Sequence, residues 1–371
     1  AWEVLRAFAS FGFCKAHAAA FALPTYQSAW LKAHHPAAFY AGVLTHDPGM
    51  YPKRLLLDDA RLHGVPVLGL DINASGDAYR VEPDAEGRLG IRVPLSEVSG
   101  INDSEVERLL RGQPYSSLSD AWQRGGPTRV TAERLIVTGA FDAMYRLDVP
   151  AAARRRGALT RRDLLLQVAD LERLTRGMAR TIARPEHEQM SLGLVDFASA
   201  DATPASGLPE MSDADRVKAE LEVLGLDVSR HVIDFYSDLL AALGSAGVPL
   251  VRSRDLLKHR SQSELFVAGV KVATQTPPVR SGRRVIFLTL DDSTGPVDAA
   301  LFDDVQEPYA STVFGSWLLL ARGVMRRTGP RGVSVRATGC WELGTLRRLW
   351  LDSGIDAVTA LLADSPGPRE E

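Results

Sequence analysis

The residues best suited to chemistry near the start of the sequence are Lys15 and His17. An ammonium and an imidazolium both bind phosphate oxygens, and the N-terminus of a helix is itself an anion site. Inside a helix, side chains two residues apart point roughly 200° apart, so these two converge on one anion only where a helix starts. Gly12, just upstream, fits such a start. The alternative is a surface lysine beside a packed histidine.

Other polar groups in this region do not predict a site. His34 and His35 are adjacent, diverge on a helix, and have no carboxylate at ligand spacing, so a metal site is not expected. Asp58 and Asp59 form an acidic pair, but the pattern places them on the exposed part of a helix, as solvated surface. The two cysteines, Cys14 and Cys340, are far apart, which excludes a disulfide scaffold and suits a reducing cytoplasm.

Arginine clusters in the last third of the sequence, although the net charge of the 371 residues is -3. Residues 315–350 hold seven arginines and one acid, whereas residues 291–310 hold six acids and no basic residue. Two segments concentrate the positive charge, and their arginines are Arg280, Arg283, Arg284, Arg326, Arg327 and Arg331. The net charge alone argues against a nucleic-acid partner, but this regional pattern favours one. The alternative is that charged surface loops reflect a general arginine bias.

The elements that must position these arginines have the period of β-strands. Alternating apolar residues predict five strands, at 265–273, 284–290, 296–302, 316–325 and 332–341, with a helix over 303–312. This order is that of an OB-fold barrel, and a generic five-stranded sheet is the alternative. In an OB-fold barrel the two basic loops flank the oligonucleotide-binding face and would track phosphates. Four strand aromatics are suited equally to core and to base stacking: Phe287, Phe302, Trp317 and Trp341.

The upstream elements are mostly helical. Residues 1–70 predict helices closed by a strand at 65–72, with Pro24 kinking or dividing the helix over 16–34. The block at 91–146 resembles a helix-hairpin-helix motif, in which a tight turn presents backbone N–H groups to a DNA phosphate. Its turn residues are Gly100, Ile101 and Asn102, where Asn tolerates the left-handed backbone.

A second, weaker copy of the hairpin is centred on Gly139, and an ordinary helical hairpin is the alternative for both copies. Further along, the sequence predicts one long arginine-rich helix at 147–185, a linker at 189–209, a helix at 212–243 broken near Gly225, and a frayed tail after residue 355.

Six segments together resemble bacterial family C DNA polymerases, the alpha subunits of DNA polymerase III. They are FGFCKAHAAAF at 11–21, YQSAWLKAHHP at 26–36, LGLDIN at 68–73, VTGAFD at 137–142, EVLGL at 222–226 and FLTLDDSTG at 287–295. Their order is the family's order of fingers, helix-hairpin-helix and OB-fold. The resemblance implies that Lys15 and His17 face the triphosphate of the incoming nucleotide.

Two departures resemble the error-prone, translesion branch of that family. Cys14 and Ala16 stand where the replicative enzymes usually have Asn and Ser, and no counterpart of the family's large replisome-binding domain is expected after the barrel. The resemblance also implies a sliding-clamp peptide in the linker, formed by Gln189, Leu192 and Leu194, with local packing as the alternative.

The resemblance predicts an α+β multidomain fold. Its parts are the end of the fingers at 1–80, a helix-hairpin-helix domain at 81–150, connecting helices at 151–255, an OB-fold barrel at 256–345 and a tail at 346–371. Mg²⁺ would be bound by carboxylates of a palm domain that precedes residue 1, so this segment alone is expected to be inactive.

The implied partners are primer-template DNA, single-stranded template, deoxynucleoside triphosphates, the sliding clamp and translesion accessory proteins, in the cytoplasm. The alternative function is a non-enzymatic OB-fold module that binds single-stranded nucleic acid.

Overall fold

The computed structural model describes residues 2–3, 15–49, 51–148, 158–182, 205–277, 284–327, 329–330 and 332–364. The chain divides into two compact units. The first unit comprises Ala1–Met50 and His63–Glu210, and the second comprises Tyr51–Leu62 and Met211–Glu371. None of the described helices is both long and apolar enough to cross a lipid bilayer.

The described helices are α1 (Lys15–His34), α2 (Pro36–His46), α3 (Lys53–Leu62), α4 (Asp103–Gly112), α5 (Leu118–Asp120), α6 (Arg129–Val137), α7 (Asp142–Tyr145), α8 (Arg161–Ile182), α9 (Asp213–Leu224), α10 (Ser237–Ser245), α11 (Asp303–Gly315), α12 (Leu343–Ser353) and α13 (Ile355–Ala363). The described strands are β1 (Val67–Leu68), β2 (Arg80–Pro83), β3 (Leu89–Arg92), β4 (Glu264–Gln275), β5 (Ile286–Asp291), β6 (Pro296–Leu301), β7 (Leu318–Arg327) and β8 (Val333–Glu342). Short 3-10 turns lie at Leu95–Glu97, Val232–Tyr236 and Ser253–Lys258, and a π turn lies at Ala121–Gly125.

The second unit is built around a closed five-stranded barrel in the order β4-β5-β6-β8-β7. Alternate strand residues such as Leu288, Leu290 and Ala299 point into one apolar core. α11 packs against β6 and β8, which pair in parallel, and contributes Val305 to the apolar core of the barrel. A register shift at Gly323 bends β7, and a Cβ there would collide with the backbone of β8. The predicted OB-fold barrel is therefore confirmed, with its helix in the predicted position.

A second apolar layer covers one side of the barrel. Leu239 and Leu243 of α10, Leu346 of α12 and Val358 of α13 pack with Phe266 of β4. Helix α9 begins at a capping box, in which Ser212 and Asp215 bond each other's backbone amides. It ends at Gly225, which adopts the left-handed conformation at φ +67. This ending confirms the predicted break in the helix over 212–243.

The first unit contains the sheet β1-β3-β2 and a helical block. α2 packs on β2 and β3, where Tyr40 and Ile91 are buried. An ion pair between Asp142 and Arg161 joins α7 to α8 in the helical block. In it, Arg161 Nε donates to Asp142 Oδ1 at 2.9 Å. Both side chains are almost fully buried, so loss of either partner leaves a desolvated charge.

Several local expectations are wrong. Pro24 neither divides nor ends α1, because its alanine-rich surroundings propagate the helix past one missing N–H. The strand expected at 65–72 is reduced to β1. Of the residues expected in the arginine-rich helix, Arg161–Ile182 are helical and 147–148 and 158–160 are not, while 149–157 and 183–185 lie outside the described residues. The tail after residue 355 is helical as far as Ala363, since α13 buries Val358 and Leu362.

The expectation for the acidic pair on α3 is wrong as well. Asp58 is 4% exposed and therefore part of the interior of the second unit rather than solvated surface. It lies four residues from Arg54 and one from Leu57, which are also buried, so this polar residue shares the inward face of the helix.

Candidate nucleic-acid interface

A groove of about 610 Å³ runs across the outer face of β5, β6 and β8 in the second unit. Because side chains alternate along a strand, the residues between the core positions of β5 point outward into it. Phe287 lies in this groove with 43% of its surface exposed. The strand register places Ala300 beside Phe287, and Arg336 on the far side of Ala300. Because the side chain of Ala300 is small, it leaves the Phe287 ring accessible.

Arg336 supplies a fixed positive charge in the groove. Its guanidinium carbon lies 5.2 Å from the centroid of the Phe302 ring, within the range of a cation–π contact. Its Nη2 donates to Asp304 Oδ2 at 2.9 Å. An arginine held by a ring on one side and a carboxylate on another keeps one orientation, which favours planar recognition of a base or a phosphate.

A carboxylate lies in the same groove. Thr289 Oγ1 donates to Asp298 Oδ1 at 2.7 Å, and the register places Ser334 next to Asp298. Carboxylate oxygens accept hydrogen bonds from amino groups of bases and repel phosphates. The groove therefore combines an exposed aromatic ring, a guanidinium and a carboxylate, which together can hold bases against the sheet.

The arginines predicted for the barrel loops are placed differently from one another. Arg284 is exposed immediately before β5. Arg326 and Arg327 are the last two residues of β7 rather than loop residues, because the antiparallel ladder with β8 continues through them. Arg326 lines the groove. Arg327 Nη2 donates to the carbonyls of Leu257 at 2.5 Å and His259 at 3.2 Å, so this nitrogen holds the 3-10 turn while the guanidinium keeps its charge. Three predicted residues lie outside the described part of the chain: Arg280, Arg283 and Arg331.

The two tryptophans differ in role. Trp341 packs with Phe266 at 6.1 Å and Tyr309 at 5.7 Å between ring centroids, so it belongs to the core. Trp317 is exposed, and the Arg54 guanidinium lies 5.4 Å from its centroid. Of the four strand aromatics, Phe287 and Phe302 are therefore the two that line the groove.

The first predicted hairpin is an exposed turn of the first unit. Gly100 has φ +74, a conformation that favours glycine, and the turn closes through Ile101 N to Val98 O at 3.1 Å. Asn102 does not adopt the left-handed conformation that the sequence suggested. It has φ -108 and caps α4, accepting from Glu105 N at 2.9 Å. Within the described residues, the Gly100 amide has no intramolecular acceptor and is free to meet a phosphate.

The second predicted hairpin is a buried structural turn. Gly139 has φ +89, and Gly139, Ala140 and Phe141 are all buried. The Ala140 amide donates to Leu135 O at 2.9 Å, and Ile72 N donates to Ala140 O at 2.7 Å. With its backbone groups bonded inside the unit, this turn does not present them to a ligand.

Lys15 and His17 are both exposed, and both lie in the first described turn of α1. The His17 ring meets the Phe21 ring edge-on at 4.5 Å between centroids. The linker residues Gln189, Leu192 and Leu194 lie outside the described residues.

Two family models match the chain. One described as a helix-hairpin-helix motif covers residues 64–148, and one described as an OB-fold nucleic acid binding domain covers residues 266–343. The error-prone DNA polymerase of Symbiobacterium thermophilum is 33% identical over 341 residues, covering 84% of this chain and 30% of that protein. The error-prone DNA polymerase of Anaeromyxobacter dehalogenans is 33% identical over 346 residues, covering 90% and 27%.

Over most of its own length, the chain is therefore similar to a part of the error-prone DNA polymerases. A further such polymerase, from Nocardia farcinica, is 33% identical over 87% of this chain and 26% of its own length. The chain thus spans less than a third of the length of these polymerases. Among solved structures, asparaginyl-tRNA synthetase from Pyrococcus horikoshii shares 19% identity over 25% of this chain and 21% of its own, at a TM-score of 0.22, which supports no conclusion.

Sequence reasoning missed three groups that lie at the barrel groove and at the first hairpin. Arg336 and Asp298 lie in the barrel groove, and Arg134 bonds the Ser99 carbonyl beside the first hairpin. The signal for the first two was available, because both occupy outward positions of predicted strands. Arg134 is brought to the hairpin only by tertiary packing, so no local pattern indicates it.

Proposed function

We propose that this chain supplies DNA and nucleotide contacts to a DNA-directed DNA polymerase of the error-prone type, acting in replication, repair and translesion synthesis. The observation that carries the proposal is the barrel groove, with Phe287 exposed and Arg336 and Arg326 at its border. The similarity to error-prone DNA polymerases supports the same conclusion.

The groove fits a single strand better than a duplex. Unpaired bases expose their faces, which stack on Phe287, while the backbone follows the arginine side of the groove. Asp298 within the groove disfavours a phosphate at that position and favours a base. We therefore assign single-stranded template to the barrel, with Arg280, Arg283, Arg284, Arg326, Arg327 and Arg331 as its proposed phosphate contacts.

The exposed hairpin is assigned to duplex DNA. Its turn at Gly100, Ile101 and Asn102 offers a free amide, and the neighbouring guanidinium of Arg134 adds a positive charge. Backbone amides and arginines position a protein on phosphates without reading sequence. This contact is therefore suited to holding primer-template DNA of any sequence.

The remaining roles rest on the resemblance to family C polymerases. Lys15 and His17 are proposed to contact the triphosphate, and Gln189, Leu192 and Leu194 to bind the sliding clamp. Mg²⁺ is assigned to carboxylates of a palm domain, where it would stabilise the attacking and leaving oxygens. Translesion accessory proteins, a cytoplasmic location and the domain boundaries given above belong to the same proposal.

The salt dependence of single-strand binding tests the groove. Each phosphate contact on a single strand contributes roughly 0.7 to the slope of log affinity against log salt. Arg326→Ala should lower the slope by about that amount. The control is Arg348→Ala, an exposed arginine on α12 whose Nη2 contacts Thr345. An unchanged slope for Arg326→Ala would remove the groove from the proposal.

The second candidate is a non-enzymatic single-strand-binding module, favoured by the match of the barrel to an OB-fold nucleic acid binding domain. The coding sequence upstream of Ala1 distinguishes the two. An open frame with palm-type acidic motifs supports the polymerase, whereas a start codon directly before Ala1 leaves the binding module.

A further inference from the structure

A cluster of ionisable side chains lies buried in the second unit, and none of its residues lines the barrel groove. Asp58 of α3, Asp227 and His231 of the segment after α9, and Asp291 at the end of β5 are each at most 6% exposed. Oxygen or nitrogen atoms of Asp58, Asp227 and His231 all lie within 4.8 Å of one another. We call these four residues the aspartate cluster.

Two guanidiniums border the cluster. Arg61 Nη1 lies 2.5 Å from Asp58 Oδ1, and its Nη2 donates to the carbonyls of Asp227 at 2.8 Å and Val228 at 2.9 Å. Arg54 Nη1 lies 3.9 Å from Asp227 Oδ2, beyond hydrogen-bonding distance. Three carboxylates and two guanidiniums leave one negative charge if His231 is neutral.

The backbone fixes the protonation of His231. The Ile233 amide donates to His231 Nδ1 at 3.2 Å, so Nδ1 carries a lone pair and the ring proton sits on Nε2. Nε2 lies 3.6 Å from Asp58 Oδ2 and 3.8 Å from Asp291 Oδ2. A second proton on Nδ1 would break the bond to Ile233. The positive charge that would neutralise the cluster is therefore not carried by the His231 ring.

Several carboxylate oxygens of the cluster lack a hydrogen bond. Within the described part of the chain, Asp58 Oδ2, both Asp227 oxygens and Asp291 Oδ2 are buried without a hydrogen bond. An ionised carboxylate is costly in such a place, whereas a carboxylic acid has less charge to desolvate and gains a donor. We propose that one of the two carboxyls, Asp58 or Asp227, carries a buried proton, and that this proton stabilises the packing of α3 in the second unit.

The carboxyl groups agree with the proposal. Burial and the neighbouring Asp227 raise the pKa of Asp58 to about 6, and burial raises the pKa of Asp227. Burial lowers the pKa of His231, but the neighbouring Asp291, Asp58 and Asp227 raise it overall, and the Ile233 amide that donates to Nδ1 opposes this second ring proton. Glu220 of α9 also adjoins this segment, accepting from the amides of Val228 and Ser229 at 2.8 and 2.9 Å. Burial raises the pKa of Glu220 too, so a test has to separate the two carboxyls.

A divalent cation is the other occupant that the three clustered side chains could take. A proton brings the charge of the cluster and its two arginines to zero, whereas a divalent cation leaves one positive charge beside two guanidiniums. His231 Nε2 also carries the ring proton and so has no lone pair for a metal. Both points favour the proton.

The pH dependence has a definite sign. A carboxyl whose pKa is higher in the folded than in the unfolded state stabilises the fold when protonated, and this stabilisation is lost as pH rises through the folded pKa. For Asp58 this stabilisation is lost as the pH rises from 3.8 to about 6. A difference of about two units corresponds to roughly a 100-fold change in the opening equilibrium of α3.

Hydrogen exchange of the α3 amides in the 371-residue chain provides a local readout. After correction for intrinsic rates, protection of residues 53–62 should fall by roughly 25-fold between pH 4.5 and 7.5, because pH 4.5 already lies above the unfolded pKa of Asp58. Asp58→Asn, an isostere of the protonated acid, should keep high protection at both values. Glu220→Gln should retain the dependence of the natural chain. If Asp58→Asn fails to fold, Asp227→Asn serves, with the same expectation.

Three results would overturn the proposal. One is equal protection at the two pH values in the natural chain. Another is a pH dependence of α3 protection that persists in Asp58→Asn but disappears in Glu220→Gln. The third is protection of α3 restored at pH 7.5 by ZnCl₂ or MnCl₂ in the natural chain but not in Asp58→Asn, which would make the cluster a metal site.

Discussion

Replacement of Phe287 by alanine removes the aromatic ring from the barrel groove. Phe287 is 43% exposed, so its truncation opens no closed cavity and should cost less than the roughly 3–5 kcal/mol of a fully buried phenylalanine. A base stacked on an aromatic side chain contributes about 1–3 kcal/mol, which corresponds to a Kd for single strands weaker by roughly 5- to 150-fold.

Fluorescence anisotropy with a labelled oligothymidine at fixed salt measures this effect. Phe314→Ala is the matched control, because Phe314 is 55% exposed on α11 and does not line the groove. Circular dichroism checks that both variants fold. A Kd for Phe287→Ala within twofold of the natural chain, or an equal loss in Phe314→Ala, would refute the stacking role.

Two further changes act in the first unit. Asp142→Ala leaves Arg161 buried and unpaired, which should lower the stability of this unit by about 3–5 kcal/mol, and a calorimetric transition unchanged from that of the natural chain would contradict it. Gly100→Ala forces a side chain into a turn at φ +74 and places a Cβ 2.6 Å from Arg134 Nη1, at a cost of about 1–2 kcal/mol. Its affinity for duplex DNA should fall while the unit stays folded, and unaltered affinity in a mobility-shift titration would exclude the hairpin.

The barrel could be predicted from the sequence because its signals are local. Alternation along β4 to β8 and the position of α11 follow from residues that are neighbours in the chain. Gly225 likewise marks the end of α9 by its own backbone preference. Where one segment carries its own signal, the expectation and the structure agree.

Features that depend on distant partners could not be predicted. Asp58 looked solvated because its neighbours in the cluster, Asp227 and Asp291, lie far along the chain. Arg336 reaches Phe302 and Asp304 only because β8 pairs in parallel with β6. Charge clusters on the sequence therefore indicated a nucleic-acid surface, while its side-chain arrangement needed the three-dimensional pairing.

Photo-crosslinking tests the central claim, that the barrel groove holds single-stranded DNA. An oligonucleotide carrying 5-iodouracil is irradiated with the 371-residue chain, and the attached peptides are identified by mass spectrometry. The crosslinks are predicted at Phe287 or Phe302, inside the groove. Crosslinks confined to residues that do not line the groove would contradict the account.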